Sequence, residues 1–397
     1  MVDKLFKYLG GDRSIWVVVM FQALLSLLLV YSSIVTLAYK YQGGNTFYYV
    51  IKHGGFVLSG FVIIYLVHRV NYRYFSRIAQ FLVWFVIPLL LLTLVTGNDI
   101  NNAKRWLTIP IINQSFQTSD LAKIALIMYI ARFLAIKKDA LNDYGGTFIP
   151  VMGVILLVVG LILPANLSTA LVLFMLSMML LFMAGVSIRN LLSVIPVGLA
   201  ALVLVIAVYK VSPDTFPRFK TWEARIERFG SDEPNPNGNY QADQAKIAIA
   251  TGGLFGKGPG NSTQRNFLPS SFSDFIYAIV IEEYGMIGGI GMVFLYMILL
   301  YRSLKIVQKA KGSFAANLVL GLSFGLVIQG LINMMVNVNL LPVTGQTLPL
   351  VSMGGTSMWF TSIALGIILS VSRTIEEQEK EVKDVVEPKH GRKFEKA

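Results

Sequence analysis

Ten stretches of this chain are each long and apolar enough to cross a lipid bilayer, and no other feature limits its folding so severely. They lie at about 14–38, 47–68, 76–97, 118–136, 147–163, 168–187, 190–210, 274–301, 315–339 and 352–372. A hydrocarbon core about 30 Å thick takes roughly 20 residues of α-helix. Inside it, backbone N–H and C=O groups must find partners within a helix or around a closed barrel. The runs do not alternate with period two, so they do not read as barrel strands. Glycines within them are tolerated where neighbouring helices cover the backbone. Hydrophobic residues make up 55% of the chain and charged residues 14%; no soluble fold of this length needs so many runs of spanning length. The fold class is therefore an all-α polytopic membrane protein of about ten transmembrane helices. A single domain covers 1–373, and a charged tail follows at 374–397. The first run is longer than a signal-peptide core and lacks a small-residue cleavage site, so it reads as a retained helix.

The formal net charge of +12 is explained by topology, without nucleic acid. With the N-terminus inside, the inner segments carry Lys4, Lys7 and Arg13; Arg69, Arg73 and Arg77; Arg132, Lys137 and Lys138; Arg189; and Arg302, Lys305, Lys309 and Lys311. The short outer loops carry only Lys40, Lys104 and Arg105. This bias puts both termini in the cytoplasm. The tail after Arg373 is charged and poor in apolar residues, which predicts a solvated, largely disordered segment. With no cysteine, disulfides and thiolate metal sites are excluded. Three scattered histidines (His53, His68, His390) argue against a histidine metal cluster.

Two outer loops stand out, at about 98–117 and, between helices 7 and 8, at 211–273. Long loops in compact domains are commonly functional. In the second, Phe219, Trp222, Ile226 and Phe229 recur at helical spacing with Lys220, Arg225 and Arg228 among them. That pattern predicts a short amphipathic helix at the outer interface, with plain anchoring as its simplest role. SDEPNPNGN is a turn region, and YQADQAKIAIATGG reads as a second short helix ending on glycine. No internal repeat is evident, although the inverted repeats of transporters leave only a weak trace in sequence.

Asp274 is the acid that opens the eighth run. A carboxylate there fits a helix cap, and it equally fits a general base at the water–lipid boundary. The preceding GLFGKGPGNSTQ, Gly253 to Gln264, has the composition of an anion-cradling loop. It lacks the G-K-[ST] of a Walker sequence, and turn-forming glycines explain it as well. Asp120 and Lys123 share one face of helix 4, as an ion pair or as functional groups inside a membrane. Arg105 and Trp106 fit an interfacial belt. A diphosphate leaving group needs positive charge, for which Arg105, Lys123, Lys246 and Lys257 are candidates. Glu282 and Glu283 fall roughly 12–14 Å beyond Asp274 along a continuous helix. There they need partners, with Lys52, His53 and Lys123 in view, and read as structural. Pro342, Gly345 and Pro349 interrupt the chain before the last run. Gly354 and Gly355 permit close packing, and Ser352, Thr356 and Ser357 could line a polar cavity.

Five of these pieces occur in order: KRW at 104–106, QTSDLAK at 117–123, YQADQAKIAIATGGLFGKGPGNSTQ at 240–264, FLPSSFSDFIYAIVIEEYG at 267–285 and LLPVTGQTLPLVSMGGTS at 340–357. Together they resemble the SEDS family (shape, elongation, division and sporulation), the group of RodA, FtsW and SpoVE. The resemblance spans nearly the whole chain. It implies a peptidoglycan glycosyltransferase of the bacterial cytoplasmic membrane. Such an enzyme joins the disaccharide-pentapeptide units of lipid II through β-1,4 bonds and releases undecaprenyl diphosphate. It also implies that Asp274 is the general base on the acceptor hydroxyl and that Arg105, Trp106 and Lys123 are tied to activity. Lys246, Lys257, Asn261, Ser262 and Gln264 are then candidates for binding substrate, with Asp120, Glu282, Glu283, Gly354 and Gly355 in support. The implied partners are a class B penicillin-binding protein transpeptidase and other division proteins. A divalent cation such as Mg2+ is a candidate at the diphosphate, although no residue set forms a clear metal site. GPGNS and TGQTLPLVS look more like the division member than the elongation member. Four positions depart from the family pattern: Phe272 replaces a histidine, Ser270 a glutamate, Asn166 an aspartate and Ser168 a glycine. QTSD also lacks the usual proline and shortens the acid at Asp120. Two other readings stay open: a lipid II flippase, and a division scaffold with no chemistry of its own.

Overall fold

A computed structural model of the chain describes residues 9–99, 104–109, 114–211, 221–225 and 240–386. The helices, in chain order, are α1 (Arg13–Ser33), α2 (Val35–Gln42), α3 (Thr46–Arg69), α4 (Tyr72–Thr96), α5 (Thr118–Ile136), α6 (Ile149–Ile162), α7 (Leu167–Met183), α8 (Ile188–Leu192), α9 (Val194–Val211), α10 (Tyr240–Gly252), α11 (Ile276–Lys309), α12 (Ser313–Asn337) and α13 (Ser357–Val386). Among the described residues seven helical stretches are long and apolar enough to cross a membrane: α1, α3, α4, α6 with the π-helical turn before it (Tyr144–Ile162), α11, α12 and α13. The other three predicted runs are also helical. α5 carries Asp120, Lys123 and Arg132; α7 has 17 residues; and the run at 190–210 counts as a shorter apolar helix, Ile188–Ala200, among the described residues.

Side-chain caps set several helix starts. Asp12 accepts from the amides of Ser14 and Ile15 at the start of α1, Asn45 caps α3, Asn71 caps α4 and Asn166 caps α7. The burial pattern is that of a bundle in lipid. Phe21, Leu24 and Leu28 of α1 and Phe81 and Phe85 of α4 face outward, while Gln22, Ser26 and His53 are buried. Helices meet where one side chain is absent: a Cβ at Gly321 would lie 2.6 Å from Ile127, and one at Gly366 would lie 2.7 Å from Val67. Such contacts replace the hydrophobic drive that lipid cannot supply.

Three outcomes differ from the sequence reading. The loop at 98–117 contains a small antiparallel sheet, β1 (Asn98–Asp99), β2 (Lys104–Ile109) and β3 (Gln114–Gln117), with Trp106 opposite Gln117 and Thr108 opposite Ser115. The tail does not turn disordered after Arg373, because α13 runs on to Val386. Contacts at its base hold it: Glu376 accepts from the Gly11 amide at 3.1 Å and Glu379 pairs with Lys309 at 3.1 Å. Last, α13 begins at Ser357, after turns in which Leu350 and Gly355 take positive φ.

Those tail contacts, with Arg302–Asp12 and Arg373 Nη2 on the Arg69 carbonyl, gather both ends of the described chain at one pole. It is the pole rich in basic residues, the cytoplasmic one by the charge bias. In the long outer segment, residues 221–225 are helical and α10 ends at Gly252, followed by Gly253 at φ 58°. The rest of the predicted amphipathic helix, the SDEPNPNGN turn, Lys4, Lys7 and positions 387–397 lie outside the described residues.

Candidate active site

At the opposite pole a cavity of about 620 Å³ opens between the sheet, α5, α12 and the turns before α11 and α13. Asp274 lies on its wall, within a turn closed by Ser273 and Phe275 amides on the Ser270 carbonyl. The helix-cap reading fails: α11 starts at Ile276, its N-cap is Phe275, and no side chain caps it. The backbone of Asp274 is instead held from outside. Asn333 and Asn337 of α12 both donate to its carbonyl, at 2.8 and 3.0 Å. Asn337 also accepts from the Ala278 amide, and Asn333 donates to the Gln346 carbonyl. Ser352 donates to the Ser273 carbonyl at 2.6 Å. The carboxylate is left facing the cavity with one local donor, Ser273 Oγ, at 2.9 Å. Burial raises its pKa above the ordinary 3.8, against the opposing pull of the Ser273 hydroxyl, Arg105 and Arg225. A carboxylate so placed is a stronger base than one in water.

The cations that line the same cavity are Lys52, Arg105, Lys123 and Arg225. β2 presents Arg105 and Trp106, and the Arg105 Nε bonds the Ala165 carbonyl at 2.7 Å, just before the cap of α7. Lys123 lies at the base of α5, 2.8 Å from Asp120 and 3.0 Å from Gln329 Oε1. Gly354 and Gly355 line the far wall, where Thr356 bonds the Ser115 carbonyl and ties the sheet to the last turn. Asn166, Ser270 and Phe272 also line the cavity, so neutral side chains stand at three of the positions where the sequence departs from the family pattern. The arrangement suits a reaction that takes a proton from a hydroxyl and leaves negative charge on a departing group.

The glycine-rich loop wraps an anion that the chain itself supplies. Its anion is Glu282, a fully buried side chain that takes the Lys257 ammonium at 2.6 Å, the Thr263 hydroxyl at 2.8 Å, the Thr263 and Gln264 amides and the Ser262 hydroxyl. Glu283 accepts from Ser32 Oγ. Asn261 bonds the Lys257 carbonyl, inside the loop. Lys257, Asn261, Ser262 and Gln264 are therefore loop fasteners, and none lines the cavity. Lys246 is an exposed residue of α10, 3.4 Å from Asp243, and is likewise outside it. Of the partners expected for the two glutamates, Lys52 lines the cavity, His53 bonds Ser26 and Lys123 pairs with Asp120.

The depth inferred for the glutamates also changes. α11 breaks at Gly285, where φ is 71° and ψ −172°. Residues 276–283 are all buried, and outward-facing apolar side chains begin at Met286 and Ile287. The stretch before Gly285 is thus packed in protein, and the lipid-facing helix starts after it. The loop fits against this break backbone to backbone: Lys257 N bonds Glu282 O, Gly258 N bonds Glu283 O and Met286 N bonds Gly253 O, each at 2.9 Å.

Sequence reasoning missed Gln329, Asn333 and Asn337, although a signal existed: polar residues four apart on one face of an otherwise apolar helix. Thr221 and Arg225 carried no sign of where the outer segment would fold. Among the described residues, no three His, Asp or Glu side chains come together to hold a metal ion.

The family model described as "Cell cycle protein", for FtsW, RodA and SpoVE, matches residues 12–377. The chain is 33% identical over 334 residues to the probable peptidoglycan glycosyltransferase FtsW of Halomonas elongata, covering 83% of this chain and 82% of that protein. It is 32% identical to the protein of the same name from Trichlorobacter lovleyi, covering 94% and 96%. Its fold is similar to a chain of a peptidoglycan synthase complex studied for coordination of polymerization and crosslinking: TM-score 0.71, 25% identity, 92% of this chain and 99% of that one. The rod shape determining protein RodA of Thermus thermophilus matches with TM-score 0.65 at 24% identity, over 92% and 98%.

Proposed function

The chain belongs to the cell cycle protein family of FtsW, RodA and SpoVE, and on that footing we propose how its cavity works. It is a peptidoglycan glycosyltransferase of the cytoplasmic membrane, polymerising lipid II at the outer face in septal wall synthesis. The observation that carries this is Asp274, a carboxylate of raised pKa on the wall of an outer cavity that also holds Lys52, Arg105, Lys123 and Arg225.

In the proposed step, Asp274 takes the proton of the acceptor sugar hydroxyl as that oxygen attacks the anomeric carbon of the donor. The bond from that carbon to the diphosphate breaks, and undecaprenyl diphosphate leaves. Positive charge already in place stabilises it without reorganisation. Trp106 and Gly354–Gly355 shape the wall for the sugars. A divalent cation at this step would be carried by the diphosphate of the substrate, since the described residues offer no cluster to hold one. The partner is a crosslinking transpeptidase of the class B penicillin-binding type, with other division proteins around the pair.

The test is polymerisation of lipid II by purified protein, with and without the transpeptidase. Asp274→Asn keeps the shape and loses the base, so polymer disappears while the protein stays folded. Full activity of that variant overturns the role of Asp274. Movement of lipid II across vesicles by wild-type protein, with no polymer, favours the flippase instead.

A further inference from the structure

Phe255 is 80% exposed, more than any other large apolar side chain among the described residues, and its neighbour Leu254 is 66% exposed. Both sit at the tip of the turn that follows α10, where the glycine-rich loop begins and the Gly256 amide bonds the Gly252 carbonyl. Contiguous exposed apolar surface marks a protein or membrane interaction site. The turn is packed tightly against α11. A Cβ on Gly256 would meet the Glu283 carbonyl oxygen at 2.2 Å, and one on Gly285 would meet the Leu254 carbonyl oxygen at 2.2 Å. The two backbones are therefore in direct contact, with no space for a side chain between them. Met286 N bonds Gly253 O, and Ile287 N reaches Leu254 O at 3.4 Å.

Those bonds put the tip beside the first outward-facing residues of α11. Met286, Ile287, Ile290 and Phe294 are 45%, 58%, 50% and 62% exposed, and they form the lipid-facing side of that helix. The tip continues this stripe at its outer end. Behind the tip, Asp243 and Lys246 of α10 are exposed and charged, as suits the water side.

We propose that Leu254 and Phe255 insert into the outer leaflet at the boundary between acyl chains and headgroups. The occupant of this apolar surface is phospholipid, because the surface is continuous with the lipid-facing side of α11. Apolar side chains carried by an interfacial segment partition to that depth. The insertion also sets a height. The tip is joined to the break at Gly285, and the loop behind it to Glu282. The helical stretch before the break leads back to the turn of Asp274. The bilayer surface thereby fixes how far above the lipid the acid stands, which matters where the acceptor is itself lipid-linked. This consequence rests on the glycosyltransferase reading; the insertion does not.

The chain has no cysteine, so single-cysteine variants can be labelled without background. Leu254→Cys and Phe255→Cys, each spin-labelled in the full-length protein in vesicles of phosphatidylethanolamine and phosphatidylglycerol, are read by accessibility to oxygen and to a nickel chelate. Ile290→Cys is the lipid reference and Lys246→Cys the water reference. The expected result is preference for oxygen at both tip positions, shallower than Ile290→Cys. Preference for the nickel chelate, as at Lys246→Cys, overturns the proposal. So does protection from both reagents, which would mean that another protein or a second copy covers the tip. The height is tested with Leu254→Ser combined with Phe255→Ser: polymerisation should fall several-fold in vesicles and much less in detergent micelles. Equal loss in both, or no loss in vesicles, overturns the height-setting role. If wild-type protein makes no polymer, the enzyme reading fails while the label depths still decide insertion.

Discussion

Glu282→Ala is the most informative single change in the outer segment. The side chain is 0% exposed and is the common acceptor for the Lys257 ammonium, the Ser262 and Thr263 hydroxyls and the Thr263 and Gln264 amides. Removing the carboxylate leaves two buried donors unpaired, the Ser262 hydroxyl and the Gln264 amide, at about 1–3 kcal/mol each. Thr263 is exposed and the Lys257 ammonium partly so; both regain water and add little. The total comes to about 2–6 kcal/mol, which brackets the cost of breaking one side of a buried pair. Thermal unfolding of the purified protein in detergent, followed by tryptophan fluorescence, should show a midpoint lowered by several degrees. Glu282→Gln should fall between, because its amide oxygen still accepts while its NH2 faces the lysine. Polymerisation should lose kcat, because the glutamate lies on the same short helical stretch that follows Asp274. KM for lipid II should stay close to that of wild type, because the loop does not line the cavity. An unchanged melting midpoint together with a large rise in KM would refute the assignment and return the loop to a substrate-binding role.

The remaining predictions are shorter. Burial raises the pKa of Asp274 above 3.8, so a base there works only as pH rises through the raised value, and kcat/KM should show an acid limb above the ordinary carboxylate range. The stability sign is the reverse: the fold favours the protonated acid, so its contribution is present below 3.8 and is lost as pH rises through the raised pKa. Asp274→Asn should therefore melt higher than wild type at neutral pH, with the gap closing in acid; scanning calorimetry across pH checks it. Gly285→Ala forces a side chain into φ 71° and against a carbonyl oxygen at 2.2 Å. It should cost at least about 1–3 kcal/mol in backbone strain alone and lower the yield of folded protein on size-exclusion chromatography. Asn333→Leu removes the 2.8 Å bond to the Asp274 carbonyl and the bond to the Gln346 carbonyl. The expected outcome is loss of kcat with a shifted acid limb, measured from pH–rate profiles beside Asn333→Gln.

Several features of this protein were legible in the sequence because they depend on short stretches of chain. A run of about 20 apolar residues must be a helix in lipid, whatever surrounds it. The basic residues between runs orient the chain by local charge alone. Asp274, Arg105, Trp106, Asp120 and Lys123 were picked out by ordered motifs, and the fold does bring them to one cavity. Lys257, Ser262 and Gln264 looked equally suited to an anion, and only the fold supplies the anion, a glutamate 18–25 positions further on. Asn333 and Asn337 reach Asp274 across 59 and 63 positions, a distance over which no periodicity speaks. The break at Gly285 was hidden because a glycine in an apolar run is ordinary until another backbone lies against it. Sequence by itself thus determined the helical membrane class and the charge bias that orients it, and it singled out Asp274. Tertiary structure decided which polar groups face substrate and which face each other, because a buried charge takes its partner from whatever the packed chain brings within hydrogen-bonding reach.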